Sequence, residues 1–198
     1  MIELALLDMD GTVFDSYLDW PMIRKALDIG IGDILESIYE KDDSKNMGKM
    51  QLLEQFERKN TQKTKPKAHF REFLDFLGSQ RIKTALITNN NRPNTEYLLN
   101  KFNFVFDLVM TRETKLWKPN PAPMTFAMSN LHVPISRTVS IGDSKYDILA
   151  SQKAGIGQIY VIKNQLIQMK RTDGVIEFSD YRELRSLLSE KLNVDAST

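Results

Sequence analysis

Two carboxylates one residue apart, Asp8 and Asp10, close the apolar run Leu4-Ala5-Leu6-Leu7 and lead into Gly11-Thr12. A second pair, Asp143 and Asp147, follows another apolar run, T-V-S-I-G at 138–142. Thr88-Asn89 ends a third, K-T-A-L-I, and Lys118 sits in L-W-K-P-N-P, held between apolar and proline neighbours. Several carboxylates drawn together repel, and like charges that close cannot all stay ionised. A hard divalent ion resolves the conflict, and an all-oxygen donor set without cysteine or histidine points to magnesium. A lysine and a hydroxyl beside such a site suit a substrate carrying negative oxygens. Phosphoryl transfer, which demands charge neutralisation and positioning, fits best. Within that chemistry one carboxylate attacks phosphorus, which assigns Asp8 as nucleophile. A second carboxylate, offset by the turn, protonates the leaving oxygen and then activates water, which assigns Asp10 as acid/base.

These residues meet only if the chain brings them to one edge. Ile2 to Met9 is a short apolar run without clean alternation, as expected of a strand buried on both faces. Similar runs recur at 83–88, 138–142, 158–162 and 175–178. Helical patterns separate them. Phe70, Phe73, Leu74 and Leu77 make one apolar stripe in a helix expected over 68–77. Further helices are expected at 93–102, 121–131 and 145–154, two of them opened by Pro93 and Pro121. D-Y-R-E at 180–183 has the spacing of a capping box ahead of Leu184, Leu187 and Leu188. Strands alternating with helices predict a parallel, three-layer α/β sheet, whose ligands bind at the carboxyl ends of the strands. The acidic pairs, Thr88-Asn89 and Lys118 all fall at that edge.

One region breaks the alternation. Residues 16–65 offer only helices, expected at 20–27, 34–39 and about 47–58, and close in a polar connector, K-N-T-Q-K-T-K-P-K. This predicts a small helical insertion at 16–65 in a core formed by 1–15 and 66–198.

The chain has 198 residues, 41% of them hydrophobic, enough to bury a full core. A formal net charge of +1 gives no concentrated positive charge for nucleic acid or an anionic membrane. There are no cysteines, which removes disulfides and thiolate chemistry. Met1 leads straight into I-E-L-A-L-L-D with no signal-like or membrane-spanning run, so a soluble cytoplasmic protein is expected.

In order and spacing, D-M-D-G-T at 8–12, Thr88-Asn89, Lys118-Pro119 and G-D-S-K-Y-D at 142–147 resemble the four motifs of the haloacid dehalogenase superfamily. The chain looks most like its phosphoglycolate phosphatase-like branch, in which a helical cap follows the first motif. The resemblance implies a Rossmann-like core and a magnesium-dependent phosphatase acting on a small phosphorylated metabolite. It implies that Asp8 attacks while Asp10 also offers its backbone carbonyl to magnesium. Thr88 and the amide of Asn89 would hold phosphate oxygens, and Lys118 would neutralise the aspartyl-phosphate. Asp143 would ligate the metal directly, and Asp147 directly or through water. The 16–65 insertion is shorter than that branch's usual four-helix cap.

Other features carry simpler readings. His69 and His132 read as surface residues, and Gly155-Ile156-Gly157 as a turn into the next strand. Met47, Met50, Leu53 and Phe56 read as packing, and Asp15 as a hinge or cap residue. Ser16, Tyr17, Trp20 and Arg24 follow the first motif directly, where a cap must cross the site, and are candidate substrate contacts. A phosphomutase uses the same four loops and is the alternative activity. A dehalogenase, which does not require Asp10, and a non-hydrolytic phospho-acceptor module rank below it.

Overall fold

The structure is a computed structural model describing residues 1–39, 44–163 and 174–196. Six parallel strands form the sheet: β1 (Leu4–Leu7), β2 (Lys83–Ile87), β3 (Leu108–Met110), β4 (Thr138–Gly142), β5 (Ile159–Ile162) and β6 (Val175–Phe178), in the order β3-β2-β1-β4-β5-β6. The order reverses between β1 and β4. That switch point is where an open sheet of this type leaves a crevice beyond its strand ends.

Five helices of the core follow the alternation: α4 (Phe70–Ser79), α5 (Arg92–Phe102), α6 (Ala122–Asn130), α7 (Lys145–Lys153) and α8 (Tyr181–Ala196). Period-two geometry explains why β1 shows no hydrophobic alternation. Leu4 and Leu6 point into a core with Met124, Ala127 and Ile148 of α6 and α7. Ala5 and Leu7 point the other way, against Phe73, Leu184 and Leu188 of α4 and α8. Both faces are dry, so every position is apolar. Each fully buried leucine contributes about 1.5–3 kcal/mol by removal from water.

The expected strands and helices are found within a few residues. Two expectations need correction. β3 has no counterpart in the sequence reading, because three residues, two of them half-buried, leave no pattern to read. The third helix of the insertion is longer than expected. The insertion consists of α1 (Trp20–Ala26), α2 (Ile34–Tyr39) and α3 (Ser44–Lys63). The connector beginning K-N-T-Q-K is largely the last turns of α3. Its buried face there is polar, with Glu57, Asn60, Thr61 and Thr64 all shielded, so the apolar stripe that marks a helix stops at Leu53 and Phe56. Asn60 Oδ1 accepts from the Tyr17 amide at 2.8 Å, which ties this end of α3 to the chain leaving the core. Of the expected packing residues Leu53 is buried, whereas Met47 is exposed.

The chain leaves and re-enters the sheet layer side by side. The Asp15 amide donates to the Lys65 carbonyl and the Lys67 amide to the Val13 carbonyl, at 2.8 and 2.9 Å. Asp15 pairs with Lys67 at 3.0 Å. Ile23, Leu27, Ile34, Leu35, Ile38 and Leu53 form the insertion's own core, against which Trp117 of the core packs. No described helix is long and apolar enough to cross a membrane.

Candidate active site

β1 and β4 run in register, with Leu7 opposite Ile141, so the residues that follow them emerge together. The Asp8 amide donates to the Ile141 carbonyl at 3.0 Å, which places Asp8 beside Gly142-Asp143. Beyond Asp8 the chain turns back on itself: the Phe14 amide donates to the Met9 carbonyl and the Gly11 amide to the Phe14 carbonyl. The turn needs Gly11 at φ +87°, where a Cβ would stand 2.1 Å from Asp143 Oδ2. Gly142 is equally constrained, since a Cβ there would meet the Asp147 Cβ at 2.5 Å. Both glycines exist to let carboxylates approach the backbone. Tyr181 of α8 supports the turn from beneath, donating its phenol to the Thr12 carbonyl at 2.9 Å. Burial, with Asp8 and Asp143 nearby, holds that phenol well above its ordinary pKa, so it stays a neutral donor.

Lys118 is the hub. Its ammonium, 3% exposed, lies 2.5 Å from Asp8 Oδ1 and 2.6 Å from Asp147 Oδ1. Its backbone is clamped by Asn89, whose Oδ1 accepts from the Lys118 amide at 2.9 Å and whose Nδ2 donates to the Lys118 carbonyl at 2.8 Å. Burial alone would lower the lysine's pKa, but Asp147 and Asp8 outweigh it and raise it, so the charge is firmly held. Asp147 is fixed from its other side as well, Oδ2 accepting from the Ser144 amide at 3.0 Å and the Ser144 hydroxyl at 2.6 Å. Ser144 in turn caps α7.

Carboxylate oxygens of Asp8, Asp143 and Asp147 lie within 4.8 Å of one another. Burial pushes the Asp8 carboxyl up to about 7 against the pull of Lys118, and burial followed by Asp8 and Asp147 pushes Asp143 up to about 8. Among the described residues, Lys118 is the ammonium paired with this set. A buried all-oxygen cluster that resists ionising is the environment a hard divalent cation relieves, so the residues fit the metal their spacing suggested.

The Asp10 carboxylate stands apart from that cluster. Asn90 Nδ2 donates to its Oδ2 at 2.8 Å, while its Oδ1 is buried without a hydrogen-bond partner among the described residues. Burial raises its pKa, with the Asn90 hydrogen bond and Lys118 pulling the other way. Thr88 closes the site at the end of β2. Its Oγ1 accepts from the Asn90 amide at 3.0 Å, which leaves the hydroxyl proton to donate elsewhere.

All seven core residues singled out from sequence therefore lie around one crevice, Asn89 through its clamp on Lys118. The four candidates in the insertion are less concentrated. Tyr17 and Trp20 are exposed, and Arg24 donates to the Gly30 and Gly32 carbonyls at 2.8 and 2.6 Å, fastening the turn before α2. Ser16 is half-buried in the irregular segment that leaves the sheet layer.

Sequence reasoning missed Asn90, and with it the seam between insertion and core. Arg112, 1% exposed, pairs with Glu57 of α3 at 2.7 Å, and Asn91 Nδ2 donates to the other oxygen of Glu57 at 3.3 Å. Tyr39 stacks near Trp117, ring centroids 4.9 Å apart, directly beside Lys118. The signal for Asn90 was three consecutive asparagines after a buried strand. Glu57 and Arg112 left none, because charged residues at helical spacing usually face water.

A family model described as haloacid dehalogenase-like hydrolase matches residues 5–161. A phosphorylated carbohydrates phosphatase of Thermotoga maritima is 28% identical over 218 aligned positions, covering 96% of this chain and 100% of that protein. A phosphoglycolate phosphatase of Colwellia psychrerythraea is 27% identical, covering 79% and 83%. Among solved structures, a hydrolase from Pseudomonas syringae superposes with a TM-score of 0.76 at 17% identity, over 95% of this chain and 98% of that one.

Proposed function

The chain belongs to the haloacid dehalogenase-like hydrolase family, and we propose that it is a magnesium-dependent phosphatase that hydrolyses a small phosphomonoester through an aspartyl-phosphate on Asp8. The observation that carries this reading is the division of labour between two neighbouring carboxylates. Asp8 is drawn to Lys118 and the acidic cluster, while Asp10 is turned away from it with one buried oxygen unpaired.

Lys118 engages Oδ1 of Asp8, leaving Oδ2 to attack phosphorus. As that bond forms, the bond from phosphorus to the ester oxygen breaks, and Asp10 gives its proton to the departing oxygen. Burial raises the Asp10 carboxyl above its ordinary pKa, the direction a proton donor needs. A water then attacks phosphorus, Asp10 takes its proton, and the bond to Asp8 breaks to release inorganic phosphate. The Thr88 hydroxyl and the amide of Asn89 hold phosphoryl oxygens, and Lys118 offsets their charge. Magnesium, held by Asp8, the Asp10 backbone carbonyl, Asp143 and, directly or through water, Asp147, would neutralise charge on the transferring group. The insertion acts as the cap, over residues 16–65. Tyr39 against Trp117 and Glu57 on Arg112 support a position over the Lys118 loop, where a cap excludes water and meets the rest of the substrate.

The test is phosphate release from phosphoglycolate, a hexose phosphate, a nucleoside monophosphate and pyrophosphate, with and without magnesium. Magnesium-dependent release that Asp8→Asn abolishes is expected. Equal activity in chelator removes the metal from the mechanism, and conversion of a hexose phosphate and its bisphosphate to an isomer, without free phosphate, assigns a mutase.

A further inference from the structure

Asn90 has every polar group committed. Its amide donates to Thr88 Oγ1 at 3.0 Å, and its carbonyl accepts from the Arg112 amide at 3.1 Å. Its side-chain Oδ1 accepts from the Asn91 amide at 2.8 Å and from Asn94 Nδ2 at 3.4 Å. Those contacts fix which way the side-chain amide faces, because a flipped group would set its NH2 against two N–H donors. The donor end can therefore point only at Asp10 Oδ2, 2.8 Å away. The residue is 4% exposed, so water does not compete for that bond.

An N–H donor on one carboxylate oxygen occupies it as an acceptor, so a proton carried by the group sits on the other oxygen. Here the other oxygen is Oδ1, buried and without a partner among the described residues. We propose that Asn90 is a positioning residue that fixes the Asp10 carboxylate and selects Oδ1 as the oxygen that passes the proton to the leaving group. This deepens the phosphatase reading and rests on Asp10 being the acid/base. The brace behind Asn90 comes partly from the cap: Asn91, the N-cap of α5, donates to Glu57 of α3, which in turn is held by Arg112. The loop that aims the acid is thereby seated against the cap helix.

The role predicts a dependence on the leaving group that mere support of the fold would not produce. An aryl phosphate such as p-nitrophenyl phosphate departs with little help from a proton, whereas an alkyl phosphate needs one. The value of kcat/KM reports the first displacement, in which that proton moves. Asn90→Asp keeps the acceptor facing Asn91 and Asn94 but removes the donor, and Asn90→Ala removes the donor without adding charge. Both should lower kcat/KM about 100-fold or more for the alkyl phosphate turned over fastest in the panel above, and tenfold or less for p-nitrophenyl phosphate. Asp10→Asn should show the same split in larger measure. An equal loss on both substrates in the Asn90 variants, or no loss, with the split retained in Asp10→Asn, overturns the inference and leaves the acid/base reading standing. Absence of the split in Asp10→Asn itself removes that reading. Melting of the magnesium-bound variants within a few degrees of the parent establishes that the comparison is between folded proteins.

Discussion

Two clusters of buried charge lie on opposite sides of the Asn90-Asn91 loop, and they are built differently. At the strand ends, among the described residues, four carboxylates, Asp8, Asp10, Asp143 and Asp147, gather near one ammonium, Lys118. At the seam between α3 and the core, the Arg112 guanidinium is matched by Glu57 at 2.7 Å and approached by the half-exposed Glu54 at 3.5 Å. The seam pairs a buried cation directly with a buried carboxylate, as a structural contact does. Among the described residues the strand-end cluster gathers more carboxylates than cations, and a fold tolerates such a set where a ligand completes it. The contrast separates a site from a strut more sharply than burial does.

The largest effect expected from breaking the contrast is on turnover. Asp8→Asn removes the nucleophile and should lower kcat by about four orders of magnitude or more while the protein still melts cooperatively. Phosphate release at more than a hundredth of the parent rate would exclude Asp8 from the chemistry.

The seam should respond in stability. Glu57→Gln leaves a guanidinium that cannot shed its charge in a dry site, and should cost about 3–5 kcal/mol in denaturant melts. Arg112→Met should cost less, because Glu57 can take up a proton. Burial already holds the Glu57 carboxyl at about 7 against an ordinary 4.5, even with Arg112 beside it. The folded state thus binds that proton more tightly than the unfolded chain. The stability contributed by this group falls as pH rises from about 4.5 to about 7. In Arg112→Met the fall should extend to higher pH, and a flat profile there would contradict the assignment.

The strand-end cluster should be stabilised by magnesium. At a hundred times its dissociation constant the ion should add about 2.7 kcal/mol. The magnesium-induced rise in melting temperature should be larger at pH 8 than at pH 6, since Asp8 and Asp143, raised to about 7 and about 8, must lose protons to bind it. Asp143→Asn should remove the rise. The smallest effect concerns the turn. Gly11→Ala forces an L-residue to φ +87° and drives a methyl into Asp143, costing roughly 1–2 kcal/mol and weakening the magnesium response with it.

The same contrast explains what was legible in the sequence. Strand-end carboxylates, Thr88 and Lys118 were readable because a parallel sheet converts sequence position directly into spatial position: a residue that follows an apolar run lands at one edge. Gly11 and Gly142 belonged to the same signal. The seam between α3 and the core depends instead on which face α3 presents after Leu53, and a buried polar face carries no periodic signature. Arg112 follows β3, itself too short to read, so its position could not be projected. Asn90 sits one residue beyond the part of the loop that the family motif describes, and its role emerges only when its five hydrogen bonds are seen together.

The most direct measurement is a rapid acid quench of the magnesium-loaded enzyme during turnover of its fastest substrate, followed by borohydride reduction and peptide mass spectrometry. A phosphorylated Asp8 is reduced to homoserine, so the account predicts that conversion in the peptide containing Leu6 to Ser16 and nowhere else. Turnover that leaves Asp8 unmodified, or a label on another residue, would contradict it.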